Sequence, residues 1–477
     1  MTHHVFRALA LHALRTPYKA ALRSGARCIT YGALASFLAA SSEKLNGSPR
    51  VIGITTSDPL EAALADLALT CHGHVVVHVP PFFSPTQKAH IVEAASIETF
   101  IGECEAVMVT ERLPRPEDCL PLDGPLRLPV TGARRIIFTS GSSGTPKGVL
   151  IGERQMAAAI AGLEKAILPS SDDKHLSLLP MAQLLEQVAG LYLPLLAGAE
   201  VCFCPEALNA LFGGPMGPVM TTMTAAQPTT TILVPALLAR LVSELKATER
   251  SAPESLRLIA VGGAMSSPAL LAEAKGHGLP VYEGYGLSEC CSVVALNLPE
   301  SARPGTVGKV LDGVHVRIDE GEIVVSGPTV MEGYVGQPPV TGEWRTGDLG
   351  RIEDGHLVVE GRKDWLIVTP QGRNINPEWI ESCLCADPRI PAAGLFLGQD
   401  GQLEIIAVVA APVDLDHIER LLVDVPQYAR PVRIRFAPAS QEGLLKSGGG
   451  IDRSQLGRLS AVLPHYSLPN DNKECVA

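Results

Sequence analysis

The chain has little of what a nucleic-acid binder, a membrane protein or a disulfide-built secreted domain would need. It has no long basic cluster and no basic stripe studded with aromatics, and its formal net charge is -11, so no nucleic-acid partner is expected. No apolar run approaches the 18 residues of a membrane span. The longest patches, such as Ala189–Ala199, are broken by Pro194 and glycines. The first 22 residues set Val5, Phe6, Leu9, Leu11 and Leu14 among His and Arg, which is too polar for a signal core and reads as an amphipathic surface helix. Eleven cysteines include no C-x-x-C pair. Cys202/Cys204 and Cys383/Cys385 are C-x-C pairs, Cys290 and Cys291 are adjacent, and Cys71 beside His72 and His74 lacks a second ligand cluster. Buried reduced thiols are expected rather than a zinc site. The terminal Cys-Val-Ala is one residue short of a prenylation box. These absences predict a soluble, cytoplasmic protein without integral membrane association.

What is present is 477 residues, 46% apolar and 19% charged, a composition that buries well and is too long for one ordinary core, so two or three domains are expected. Apolar runs at Val51–Thr55, Val75–Val79, Arg135–Phe138, Thr231–Val234, Leu256–Val261 and Leu279–Tyr282 read as strands. Between them, Glu61–Cys71, Gln155–Ala166, Ala236–Lys246 and Ser267–Lys275 read as helices, and the alternation predicts an α/β architecture with parallel strands. From Gly305 to about Glu360 short strands (Val314–Ile318, Glu322–Ser326, His356–Glu360) and Gly turns predict a β-rich subdomain. A separate C-terminal module should follow Gly361-Arg-Lys-Asp364. In it Trp365–Val368 and Leu403–Ala411 read as strands and His417–Leu422 as a helix. Asn376 should cap another helix, with Pro377 first and Glu378 and Glu381 near its positive end.

Two segments carry chemistry. In Ile136–Gly148 an apolar run passes into Thr139, Ser140, Gly141, Ser142, Ser143 and Gly144, then Pro146 and Lys147. Small residues let backbone N–H groups approach an anion, the hydroxyls add donors, and Lys147 adds a point charge for phosphate oxygens. It is not the G-x-x-x-x-G-K-[ST] loop, because Gly148 follows the lysine. In Val281–Glu289, Tyr285 can stack on a purine, Gly286 admits a close backbone approach, and Glu289 can hold a hard cation bridging phosphates. Taken singly, either segment also describes an ordinary polar turn.

Both resemble motifs of the adenylate-forming superfamily, which comprises acyl-CoA synthetases, luciferases and peptide-synthetase adenylation domains. The first is similar to its phosphate loop. The second is similar to its Tyr-Gly-x-Thr-Glu motif, with Ser288 in place of Thr. In the same order, Val261-Gly-Gly263-Ala264 resembles the adenine-side loop, Trp344-Arg-Thr-Gly-Asp348 the segment whose aspartate binds the ribose hydroxyls, and Gly361-Arg362 the ribose-binding arginine, with Asp364 at the hinge. Arg15-Thr-Pro17, Thr30-Tyr31 and Gly73–Pro80 resemble the family's N-terminal elements, so the resemblance covers essentially the whole chain. It implies a large N-terminal domain over residues 1–362 with mixed parallel sheets and the β-rich subdomain at about 305–360. A small mobile α+β domain over 365–477 would rotate about Asp364. It further implies ATP and Mg²⁺, the latter near Glu289, and attack of a carboxylate on the α-phosphorus. Transfer of the acyl group to a thiol follows, on CoA or on the phosphopantetheine of an acyl carrier protein. Gly372 and Arg373 would face that thiol.

The acid is implied by finer matches. Leu178–Ala189 resembles the Leu-Pro-Leu-Ala-His-x-x-Glu pattern of long-chain acyl-CoA synthetases, and Gly284 leaves space for an acyl chain, so a fatty or similarly hydrophobic acid is expected over an amino acid. Glu186 either belongs to that pattern or is simply a polar position on a helix. The departures are Glu153 after the phosphate loop, Gln183 in place of the gate histidine, and above all the C-terminus. The family's Thr-x-x-Gly-Lys-x-Asp-Arg ending reads Leu444-Leu-Lys-Ser-Gly-Gly-Gly-Ile-Asp-Arg453, which puts Gly450 at the lysine position and Lys446 four residues upstream. Either Lys446 substitutes on its Gly-rich segment, or adenylation is weak. In the second case the protein is an acyl-AMP ligase or amide-forming relative, or a non-catalytic adenylate or acyl binder.

Overall fold

Helices begin where the sequence supplies a cap followed by proline. Asp58 caps Pro59–Cys71, Ser84 caps Pro85–Ala95 with Gln87 closing a capping box, and Ser267 caps Pro268–Gly276. Asn376 caps Pro377–Leu384 through a 2.9 Å bond from the Glu378 amide, as its sequence context predicts. A computed structural model describes residues 2–80, 82–102, 110–119, 132–139, 146–369, 373–445 and 450–468.

Among the described residues the strands form two large mixed sheets, one of nine and one of seven strands, and three smaller ones. The nine-stranded sheet has a parallel centre, Lys174–Ser177, Thr230–Leu233, Leu258–Val261 and Val281–Leu287. The seven-stranded sheet is parallel through Val51–Ile54, Val75–His78 and Arg134–Thr139, and turns antiparallel at Lys147–Gly152. The helix Glu153–Ile167 packs against strands of both sheets, whereas the first helix, Thr2–Arg15, packs against the helices Tyr31–Leu45, Leu193–Ala197 and Glu153–Ile167, with Val5, Phe6 and Leu9 buried in the main core. The expected amphipathic helix is therefore docked through its apolar face rather than lying free on the surface.

The β-rich region is a four-stranded antiparallel sheet built from His315–Asp319, Glu322–Ser326, Glu343–Glu353 and His356–Arg362. Beyond it the C-terminal segment has its own four-stranded sheet and its own apolar cluster around Ile380, Leu395, Ile405 and Ile434. One expectation needs correction. Trp365–Val368 is not one strand, because Lys363–Trp365 form a short 3-10 turn and only Ile367–Val368 pair, with Asn374–Ile375. Trp365 is held instead by its ring faces, with the Arg362 guanidinium 5.9 Å and the Arg453 guanidinium 4.6 Å from its centroid. Cys71, Cys202, Cys204, Cys290 and Cys291 are buried free thiols, whereas Cys383 and Cys385 are only partly covered. No helix among the described residues is long and apolar enough to cross a membrane.

Candidate active site

The described ends of the Ile136–Gly148 segment belong to two antiparallel strands, Arg134–Thr139 and Lys147–Gly152, with Thr139 paired to Lys147. Thr139 and Lys147 are described; Ser140, Gly141, Ser142, Ser143 and Gly144 lie outside the described residues. The base of this strand pair is anchored from below. Arg135, fully buried, donates to Asp66, Thr70, Tyr192 and Gln187, while Tyr192 donates to Asp66 at 2.6 Å and His78 Nε2 lies 2.8 Å from the same carboxylate. Burial alone would raise the Asp66 pKa. The Arg135 charge and the His78 and Tyr192 contacts outweigh it and hold the group below the usual carboxylate range.

Tyr285 and Gly286 lie within the strand Val281–Leu287, and Ser288 and Glu289 open the short 3-10 turn that follows. The turn is tight. A Cβ on Gly286 would sit 1.7 Å from the Ser292 carbonyl, and Cys291 and Ser292 both hold positive φ, at 53° and 87°. Strain of this kind is maintained only where surrounding structure enforces it.

The Tyr285 hydroxyl donates to Asp348 Oδ2 at 2.5 Å, and Arg362 Nη1 donates to Asp348 Oδ1 at 3.0 Å and to the Thr346 carbonyl at 2.9 Å. Asp348 and Arg362 face each other because their strands pair in that register. Burial raises the Asp348 pKa against the opposing pull of Tyr285 and Arg362, and burial followed by the Asp348 charge pushes the Tyr285 phenol well up. Tyr285, Asp348 and Arg362, taken from three distant motifs, thus form one polar cluster.

Glu289 accepts from the Tyr334 hydroxyl at 2.7 Å, and the Lys147 ammonium stands 5.6 Å from the centre of the same ring. Tyr334 is the residue that sequence reasoning missed. It sits on the two-residue strand Gly333–Tyr334, which pairs with Lys147–Gly152, and so short a strand gives no periodic signal. Among the described residues no group of three or more His, Cys, Asp or Glu is arranged to hold a metal ion. A single carboxylate still fits Mg²⁺, which commonly takes one or two protein oxygens and the rest from phosphates and water.

Behind the cluster lies a cavity of about 460 Å³. Alternate residues on one face of the nine-stranded sheet, Thr230, Ile232, Leu258, Ala260, Gly262 and Gly284, form one wall, as the period of two dictates. Gly263, Tyr285, Gly286 and Ser288 stand at its entrance with Thr139, and Gln183 also lines it. Ala264 is exposed outside it. In the C-terminal segment Asp364 is exposed, its carboxylate 4.0 Å from Arg362, and the Arg373 guanidinium stacks 4.5 Å from the Tyr428 centroid. Gly372 and Lys446 lie outside the described residues. Gly450 is exposed, and a Cβ there would meet nothing within 4 Å.

The AMP-binding enzyme family matches residues 9–335. The chain belongs to that family. Among curated relatives it is 32% identical over 286 residues to the 2-succinylbenzoate–CoA ligase of Bacillus velezensis, a stretch covering 56% of each chain. It is 29% identical over 340 residues to the long-chain-fatty-acid–CoA ligase 1 of Cavia porcellus, covering 57% of this chain and 47% of that one. These matches span about half the length of the curated relatives. Among solved structures, the O-succinylbenzoate CoA synthetase of Bacillus subtilis in complex with AMP superposes with a TM-score of 0.78 at 22% identity, covering 94% of this chain and 97% of that one. That likeness establishes the fold of an adenylate-forming ligase, with a large mixed α/β N-terminal region and a smaller sheet-rich one.

Proposed function

We propose that this AMP-binding enzyme is an ATP-dependent acid–thiol ligase acting on a hydrophobic carboxylic acid. The observation that carries the reading is the juxtaposition of the Tyr285–Asp348–Arg362 cluster, suited to a ribosyl purine, with the mouth of a mostly apolar cavity suited to an acyl or aryl group. The acid's carboxylate oxygen attacks the α-phosphorus of ATP, forming the acyl-adenylate and releasing pyrophosphate. A thiolate then attacks the acyl carbon and AMP leaves. Thr139 and Lys147 hold the departing phosphates, and Glu289, oriented by Tyr334, is positioned to bind Mg²⁺, which supplies charge for their departure. The curated relatives include both a succinylbenzoate and a long-chain fatty acid ligase, so aryl and alkyl acids are both in scope. CoA is the favoured acceptor because those relatives are CoA ligases; a carrier protein is the alternative.

Carboxylate-dependent exchange of pyrophosphate into ATP tests the reading. Exchange with at least one aryl or fatty acid is expected. Its absence over a broad acid panel would leave an adenylate binder without turnover, the second reading favoured by Gly450 at the family's lysine position.

A further inference from the structure

The cavity behind the nucleotide cluster has two ends. Its mouth is at Gly262 and Gly263 beside Tyr285, and its far end is lined by Pro169, Asp173 and Arg257. Arg257, Leu258, Ala260 and Gly262 line it in succession along the strand Leu258–Val261 and its two flanks. It therefore follows the sheet for five residues of extended chain, about 16 Å. The far end lies at the protein's surface. Ser170, Ser171 and Asp172 are exposed there, and the Arg257 side chain, which lines the cavity, is itself 38% exposed.

An ion pair stands between the cavity and that surface. Arg257 Nε and Nη2 donate to the two carboxylate oxygens of Asp173, each at 2.8 Å, which is the bidentate arrangement that fixes a guanidinium most firmly. Its remaining nitrogen, Nη1, donates to the Ile167 carbonyl at 3.3 Å. Asp173 is buried, and it also accepts from the Thr229 hydroxyl and the Ser170 amide, both at 2.7 Å. Burial alone would raise its pKa. The bonds from Arg257, Thr229 and Ser170 outweigh burial and bring it down to about 2, so the pair stays charged at any working pH.

The latch ties three chain segments together: the turn after the helix Glu153–Ile167, and the residues that lead into the strands Thr230–Leu233 and Leu258–Val261. The Arg257 amide is fixed as well, on the Thr229 carbonyl at 2.8 Å. An apolar tail that reaches this pair gains nothing by pushing further. Methylenes cannot satisfy the polar groups that would be left if the guanidinium and carboxylate parted. Burial thus rewards each added methylene up to the guanidinium and stops there.

We propose that Arg257, latched by Asp173, is a plug in a through-channel and sets the longest acid the site accepts. Without the guanidinium the channel opens at the surface beside Ser170, and the tail of a longer acid passes out. The inference rests on the acid-activating reading, since it assigns this cavity to the acid.

The test uses saturated straight-chain acids of increasing length with the full chain. Calorimetry measures binding of each free acid, and pyrophosphate exchange is run beside it. The wild-type protein should show a cut-off, with affinity and kcat/KM falling about 10-fold or more over the one or two carbons that bring the tail to Arg257. In Arg257→Ala the ratio of the value just beyond the cut-off to the value just below it should rise about 10-fold or more. Asp173→Asn combined with Arg257→Ala should do the same, and this variant leaves no unpaired carboxylate if the single substitution folds poorly. A wild-type profile without a cut-off, a cut-off unmoved in both variants, or an equal fall at every length would overturn the proposal and leave the acid-activating reading standing. Neither binding nor exchange with any acid would overturn both. A cut-off in binding that moves in the variants, without exchange, would sustain the plug and count against turnover alone.

Discussion

Glu283 shows how much one side chain's surroundings matter on the strand that bears Tyr285. Burial pushes its pKa from 4.5 up to about 7, opposed by Ser266 and by the Lys275 charge. The folded state therefore keeps a proton that the unfolded chain gives up. Stability should fall as pH rises from about 4.5 to about 7, and the loss is complete above that window. Glu283→Gln removes the titration. Denaturant unfolding should show the variant more stable than wild type by about 2 kcal/mol near pH 8, after allowance for the side chain's partial exposure, and no more stable near pH 4. A difference independent of pH would show that Glu283 does not titrate as described.

At the scale of elements, the cavity is set by what the sheet face omits. Ala260, Gly262 and Gly284 place almost no side chain on a face where Leu258, at the start of Ala260's own strand, and Ile232, on the neighbouring strand, are bulky. Ala260→Leu should fill the middle of the cavity. Exchange assays across acid lengths should then show kcat/KM for the longest accepted acid reduced about 10-fold or more, with short acids spared. The loop before Asp452 offers a complementary gain. Leu445 and Ile451 bridge, the Asp452 amide returns to the Leu444 carbonyl at 2.9 Å, and Gly450 stands exposed between them. Gly450→Lys should raise the exchange rate about 10-fold or more if the missing charge limits adenylation. An unchanged rate would assign the role elsewhere, with Lys446→Ala the direct check.

Which parts were readable beforehand follows from how locally each is encoded. Caps such as Asn376-Pro377, the donor-rich stretch after Phe138 and the Tyr285-Gly286 pair declare themselves, because each needs particular residue types within a few positions. The partners they acquire do not. Tyr334 meets Glu289 across 45 positions, Arg135 meets Asp66 across 69, and Tyr285 meets Asp348 across 63; the resemblance assigns Tyr285 and Asp348 to one nucleotide site but does not give their contact. Glu186, readable as a polar helix position, is instead buried on a π-turn, which hydrophobic periodicity cannot signal.

For the whole molecule, the proposed hinge makes a separable prediction. Asp364→Pro would fix φ near -65° beside the exposed turn that joins the two regions. Pyrophosphate exchange should persist while thioester formation falls about 10²-fold or more, as expected when a domain rotation separates two half-reactions. Equal loss of both would place Asp364 in folding or binding rather than in rotation. The Arg362–Trp365–Arg453 stack also gives this rotation an optical handle. The chain has three tryptophans, and Trp365 is the one clasped between a guanidinium on each side of the proposed pivot. Any turn of the C-terminal region must pull that indole from at least one of the two cations. With Trp344 and Trp379 replaced by phenylalanine, its emission wavelength becomes a clock for the conformational cycle, read in stopped flow without an added dye.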